Sequence, residues 1–221
     1  MILVYTLIFS TVMKARLPES DDSWAYSIYL CAGILTWTYF SDTVLRCQTL
    51  FIEQANLLKK VNFPRLTLPI IVLLSSTINF IIIFFILILF LLAIGRFPGI
   101  SILLVLPVLA LQQGFAIGLG MLTGTLNVFS RDVGKFIGIV MTFWFWMTPI
   151  IYPIEILPPV LQDALKWNPM FESMNFYHAL LLGNEIPPAS SLYYLAFFSL
   201  TSLLLGYFCF HKLVADMVDE L

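Results

Sequence analysis

Between Arg65 and Arg96 the chain reads "LTLPIIVLLSSTINFIIIFFILILFLLAIG", with no charged residue. A helix crosses a bilayer with about 20 apolar residues at roughly 1.5 Å each. Residues 66–94 therefore make a long span with room to tilt. Composition agrees: 60% of the 221 residues are hydrophobic and only 11% charged, with a mean hydropathy of +0.96. A soluble domain carries about a quarter of its residues as charges, so this chain lacks the polar surface to cover itself in water. Further spans are predicted over 27–47, 101–126, 136–152 (short) and 192–211. Residues 1–13, "MILVYTLIFSTVM", are too few and read as the second half of a span whose beginning is absent. The expected fold is an all-α polytopic membrane protein, a single transmembrane domain over 1–221 with six spans, the first truncated.

Orientation follows the placement of Lys and Arg, not the net charge of −2. With residues 14–26 outside, the inner side holds Arg46, Lys59, Lys60, Arg65, Arg131, Lys135 and Lys212. The outer side holds Lys14, Arg16, Arg96 and Lys166 and most of the acids. Both termini are thus expected in the cytoplasm. No cleavable signal peptide is visible, and the final "VDEL" lacks the Lys of a retention tail. Cys31, Cys47 and Cys209 have no C-x-x-C spacing and read as small buried hydrophobes. His178 and His211 stand alone, so no metal site is expected.

Two connections carry structure. Residues 50–63, "LFIEQANLLKKVNF", place Phe51, Ala55, Leu58 and Val61 at helical spacing, with Glu53, Lys59 and Lys60 between, and Pro64 closes the run. This is a short amphipathic helix, either lying on the membrane surface or docking a cytoplasmic partner. Residues 153–190 hold two helical pieces, "LPPVLQDALKWNP" and "MFESMNFYHALLLGN", each too short to cross. They read as a hairpin dipping into the outer leaflet or capping a cavity, or as an interfacial hairpin with a structural role.

Asp42 and Arg46 lie four apart with the acid first, the favourable order on a helix. An ion pair tuning a helix end explains them better than a proton site, since the span middles hold no acids. "GFAIGLGMLTG" (114–124) carries two small-xxx-small pairs, Gly114/Gly118 and Gly120/Gly124. Packing within the chain and packing across a dimer both remain open. The aromatic clusters Trp37/Tyr39/Phe40 and Phe143/Trp144/Phe145/Trp146 have two readings. One is an interfacial belt; the other is a surface on which the C–H faces of sugar rings stack. No phosphate loop G-x-x-x-x-G-K-[ST] is present, and neither H-E-x-x-H, G-x-S-x-G nor a paired-carboxylate cleft appears. The chain is therefore read as no enzyme, and any active transport draws its energy from another subunit.

"NVFSRDVGKFIGIVMTFWFWMTPIIYP" (127–153), followed by "LPPVLQDALKWNPMFESMNFYHALLLG", resembles the permease subunits of type-2 ABC exporters for cell-surface polysaccharides such as O-antigen, teichoic acid or capsule. "LCAGILTWTYFSDTV" and "NLLKKVNFPRLTLP" match the same family in the same order, and the resemblance runs over about residues 1–212. It implies a bacterial inner-membrane protein in which two copies of the chain join two cytoplasmic ATPase subunits. ATP and magnesium bind those partners; the chain itself carries no cofactor and binds no nucleic acid.

The segment Asn56–Phe63 looks like the coupling helix, so Glu53, Asn56, Leu58, Lys59 and Lys60 are expected to dock the ATPase. The hairpin at 153–190 looks like re-entrant gate helices on the outer face. Trp37, Tyr39, Phe40, Phe143, Trp144, Trp146 and Tyr152 are expected along the path of a polyprenyl-diphosphate-linked glycan. Arg131 and Lys135 are expected either to meet the lipid diphosphate or to act as positive-inside anchors. Asp132 is expected to cap the helix or pair nearby. Family members have an interface helix and a complete first span before the point matched by Met1, so a fragment, a misassigned start or a truncated gene is expected. Within transport, the competing reading is an exporter of small drugs or lipids. A membrane glycosyltransferase would need catalytic acids or basic residues clustered at the lipid interface, with large soluble loops, and the longest outer connection has few of these.

Overall fold

The computed structural model describes residues 24–60 and 65–220, all helix and connection with no strand among them. In chain order the α-helices are α1 (Ala25–Glu53), α2 (Ala55–Lys60), α3 (Thr67–Ala93), α4 (Val105–Phe129), α5 (Asp132–Trp146), α6 (Pro159–Leu165), α7 (Pro169–Leu182) and α8 (Leu192–Glu220). Short 3₁₀ turns precede α4, α6 and α8 at Gly99–Leu104, Ile154–Ile156 and Ala189–Ser191. The all-α expectation holds. Residues 1–13 lie outside the described residues, as do Val61 and Pro64 of the expected amphipathic segment.

Among the described residues, three helices are long and apolar enough to cross a membrane: α3, and α4 and α8 each with its preceding 3₁₀ turn. Only 28% of the most apolar window of α3 is buried, and Ile70, Ile71, Leu74, Ile78, Ile81, Ile82 and Phe85 are exposed. Apolar surface on that scale requires a nonaqueous solvent. Pro69 and Pro107 fall in first turns, where the missing N–H costs nothing. Hydroxyls inside the helices bond back to the preceding turn: Thr36 donates to the Ala32 carbonyl, Thr43 to Tyr39 and Thr77 to Leu73, at 2.7–2.8 Å. That keeps polar side chains satisfied where water is absent.

The expected span over 136–152 is corrected. α5 starts four residues earlier, at Asp132, and ends at Trp146; its 15 residues reach only about 22 Å. Pro149 sets the stop, because a proline ring and the restricted residue before it oppose the helical turn. The amphipathic helix expected over 50–63 is also divided differently. Leu50–Glu53 form the last turn of α1, a break falls at Gln54, and α2 is described over Ala55–Lys60.

The chain forms two compact units, and long helices contribute to both. The first holds the described residues up to Thr38, Phe80–Val108 and Phe145–Tyr194. Its centre is α7, with Met170, Met174, Tyr177 and Leu181 buried and Tyr177 edge-on to Phe80 at 6.2 Å. Asn168 and Pro169 start this helix: the Asn168 side chain accepts from the Met170 amide at 3.0 Å, the standard N-cap bond. Gly183, at φ +75°, ends it in the left-handed conformation.

The second unit holds Tyr39–Asn79, Leu109–Trp144 and the chain from Leu195. Its core gathers Cys47, Leu50 and Phe51 of α1, Leu58 of α2, Leu68 and Val72 of α3, Ile117 and Met121 of α4, and Phe210 and Met217 of α8. Phe51 stacks on Phe210 at 5.2 Å. Here the glycine motif of α4 finds its partners within the chain. A Cβ on Gly118 would collide with the backbone of Ser202 and Leu203 in α8. One on Gly120 would lie 2.5 Å from Cys47 Cβ, and one on Gly124 2.6 Å from the Cys47 carbonyl in α1. The two small-residue faces of α4 thus seat α8 and α1 respectively.

Candidate functional site

The turn from α4 into α5 carries the charges of "NVFSRDVGK". Arg131, Asp132 and Lys135 are all exposed. Asp132 opens α5, where the helix dipole favours an acid, and it pairs with Lys135 one turn on at 3.1 Å. The two side chains are 85% and 78% exposed, so the pair is weak and readily exchanged. Behind this charged rim sits a buried polar node. Asn127 donates from Nδ2 to the Gln48 carbonyl at 3.1 Å, and its Oδ1 accepts from the Gly134 amide at 2.9 Å. Sequence reasoning singled out the charges and passed over Asn127; a lone amide at the end of an apolar run was the available signal.

The expected aromatic path divides by exposure. Phe40 is fully buried, 5.2 Å from Phe115 and 5.5 Å edge-on from Trp144. Trp37 is buried against Phe145, and Tyr39 is buried as well. Trp144 is half-buried. By contrast Phe143 is 67% and Trp146 60% exposed. A side chain that lines a path needs free surface, so within the chain Phe143 and Trp146 have it and Trp37, Tyr39 and Phe40 do not. Aromatic pairs gain packing energy beyond area, which explains why α1 turns its cluster inward. Phe136, Ile139, Phe143 and Trp146 recur every three or four residues, and all four are exposed, forming one open stripe along α5.

After Trp146 the backbone leaves the helix, and its carbonyls are met by side chains. Tyr26 Oη donates to the Ile151 carbonyl at 3.0 Å. Tyr29 Oη lies 2.9 Å from the carbonyls of both Pro149 and Tyr152, and Tyr152 Oη donates to Trp146 at 2.7 Å. Asn168 donates to Thr148 Oγ1 at 2.9 Å. An unwound segment survives away from water only when so satisfied. Tyr29 also stacks on His178 of α7 at 3.7 Å. Burial pushes the His178 imidazole down to about 3, with a hydrogen bond to the Tyr29 backbone acting the other way, so the ring is neutral at physiological pH.

The α2 region presents one buried and one open side. Leu58 joins the core while Glu53, Asn56, Leu57 and Lys59 are exposed. Of the residues expected to dock a partner, Leu58 therefore holds α2 in place. Leu57, which was not singled out, is the apolar residue on the open side. Asp42 and Arg46 pair at 2.9 Å, as their spacing predicts.

Comparisons with known proteins agree with this architecture. The O-antigen export system permease protein RfbA of Myxococcus xanthus is 29% identical over 207 residues, covering 91% of this chain and 76% of that protein. A protein of the same description from Klebsiella pneumoniae is 27% identical over 213 residues, covering 96% and 79%. A second from Klebsiella pneumoniae is 25% identical over 185 residues, covering 83% and 69%. The profile of the ABC-2 type transporter family matches residues 1–182. With that match spanning most of an all-helical, membrane-suited chain, the protein belongs to the ABC-2 type transporter family.

Proposed function

We propose that this chain is the membrane subunit of an ATP-driven exporter that carries a polysaccharide of the O-antigen class, linked to a polyprenyl diphosphate, across the bacterial inner membrane. The observation that carries this reading is similarity to three O-antigen export permeases over 83–96% of the chain. The chain has no phosphate loop, so ATP and magnesium belong to a cytoplasmic ATPase subunit. The end of α1 and α2 form the docking element, with Glu53, Asn56, Leu57 and Lys59 offered to that subunit. Lys60 belongs to the same segment by sequence.

Two copies of the chain form the conduit, and six spans place both termini in the cytoplasm. The open α5 stripe with Phe143 and Trp146 gives sugar rings an apolar surface to slide on without reading their order. Arg131 and Lys135 supply positive charge for the diphosphate, and the exposed Lys135–Asp132 pair yields to a doubly charged ligand at little cost. α6 and α7 form the outer gate.

The test is complementation in cells lacking the chain, with surface polysaccharide and intracellular polyprenyl-linked glycan both measured. Loss at the surface with accumulation inside, reversed by restoring the chain, is the expected result. Normal surface polysaccharide in the deletion strain would overturn the proposal and direct attention to small-molecule substrates.

A further inference from the structure

Asn127 sits in the last turn of α4, is buried, and holds two other helices at once. Its Oδ1 accepts from the amide of Gly134, the third residue of α5. That amide is one of the donors a helix start leaves unsatisfied, so Asn127 caps α5 from outside the helix. Its Nδ2 grips the main-chain carbonyl of Gln48 on α1, five residues before that helix ends at Glu53 and the chain turns into α2. The surroundings leave little slack. A Cβ on Gly134 would lie 2.8 Å from Asn127 Oδ1 and 2.9 Å from Gln48 Nε2, and Gly124 brings α4 against the Cys47 carbonyl. Gln48 is itself buried with its Oε1 unpartnered. The node is a tight polar contact inside apolar packing, where an amide pair is hard to break and has few alternative partners.

From this geometry we infer that Asn127 is the positioning residue that makes the end of α1, the end of α4 and the start of α5 move as one body. A displacement delivered to α2 then reaches the charged turn at Arg131 and Lys135. The inference rests on the proposed docking of an ATPase at α2. Asn127 touches neither nucleotide nor glycan; it acts through the helices it joins.

The test uses the full chain with its ATPase subunit. Asn127→Ala is expected to lower surface polysaccharide at least tenfold. Chain level and co-purified ATPase should stay at native values, and the purified complex should keep hydrolysing ATP. Asn127→Asp keeps the acceptor for the Gly134 amide and sets a carboxylate against the Gln48 carbonyl, so it should match the alanine variant. Export at the native level in either variant would overturn the inference. So would export that falls only in proportion to chain level.

A second measurement does not depend on substrate. Spin labels at Leu57→Cys and Ser130→Cys, both exposed positions, with Cys31, Cys47 and Cys209 replaced by serine, report the α2-to-turn distance in phospholipid nanodiscs assembled with an excess of unlabelled chain. One narrow distance distribution is expected in the otherwise native chain and a broadened one in Asn127→Ala; identical distributions would overturn the inference. If the native chain itself fails to restore surface polysaccharide, the proposed function falls, and the label distances alone decide the role of Asn127.

Discussion

At Gly118 the backbone of α4 rests on the backbone of α8, with Gly206 on the other side of the contact. Nothing larger than hydrogen fits there, so Gly118→Val must force the helices apart at a cost of about 1–3 kcal/mol. Gly138 in α5 has open space where a Cβ would go; Gly138→Ala should be neutral or stabilising by up to about 1 kcal/mol, because alanine is the better helix former. Thermal unfolding of the purified chain in detergent separates the two. His178 makes a second prediction at this scale. Its imidazole titrates near 6.5 when unfolded and at about 3 in the folded chain. The unfolded state therefore binds the extra proton between those values, and stability should be fully present above about pH 6.5 and decline as pH falls toward 3. His178→Phe keeps a ring against Tyr29 and should flatten that decline in melting curves taken at pH 7.5 and 5.

Among the elements, α2 is the one whose open side is free to meet a partner. A short helix is marginal without tertiary packing, and Leu58 in the core is what holds it. Reversing charge with Lys59→Glu on its open side together with Lys60→Glu, or removing its apolar contact with Leu57→Asp, should reduce co-purification of the ATPase subunit several-fold while the chain remains folded in the membrane. Undiminished co-purification would move the docking surface elsewhere. Leu58→Ala should behave differently, destabilising the chain by about 2–5 kcal/mol as a buried truncation does. The proline-bounded elements were easier to read: Pro159, Pro169 and the Gly183 stop delimit α6 and α7 as their sequence predicts. The α5 boundary was misjudged because an apolar run continues through Thr148–Tyr152, whereas Pro149 breaks the helix whatever the hydropathy of its neighbours.

At the scale of the whole molecule, lipid takes the place of water around α3, α4 and α8, and the aromatic residues sort accordingly. Phe40 is packed inside while Phe143 and Trp146 stay open. Phe143→Ala and Trp146→Ala together should lower polysaccharide export with the melting temperature nearly unchanged. Phe40→Ala should lose about 3–5 kcal/mol of stability, with export falling only as folded chain is lost. Equal effects of the two changes on melting would show that exposure in the single chain does not separate lining residues from packing residues. The sequence by itself determined the class of solvent, the helical content, the Asp42–Arg46 pair and the punctuation by proline, because each depends on residues within a turn or two of one another. Tertiary structure alone decided that the α4 glycines face α1 and α8, that one aromatic cluster turns inward, and that Asn127 reaches Gln48 across 79 residues of chain. Such contacts depend on which helix faces come together, and an apolar helix offers several faces of nearly equal free energy.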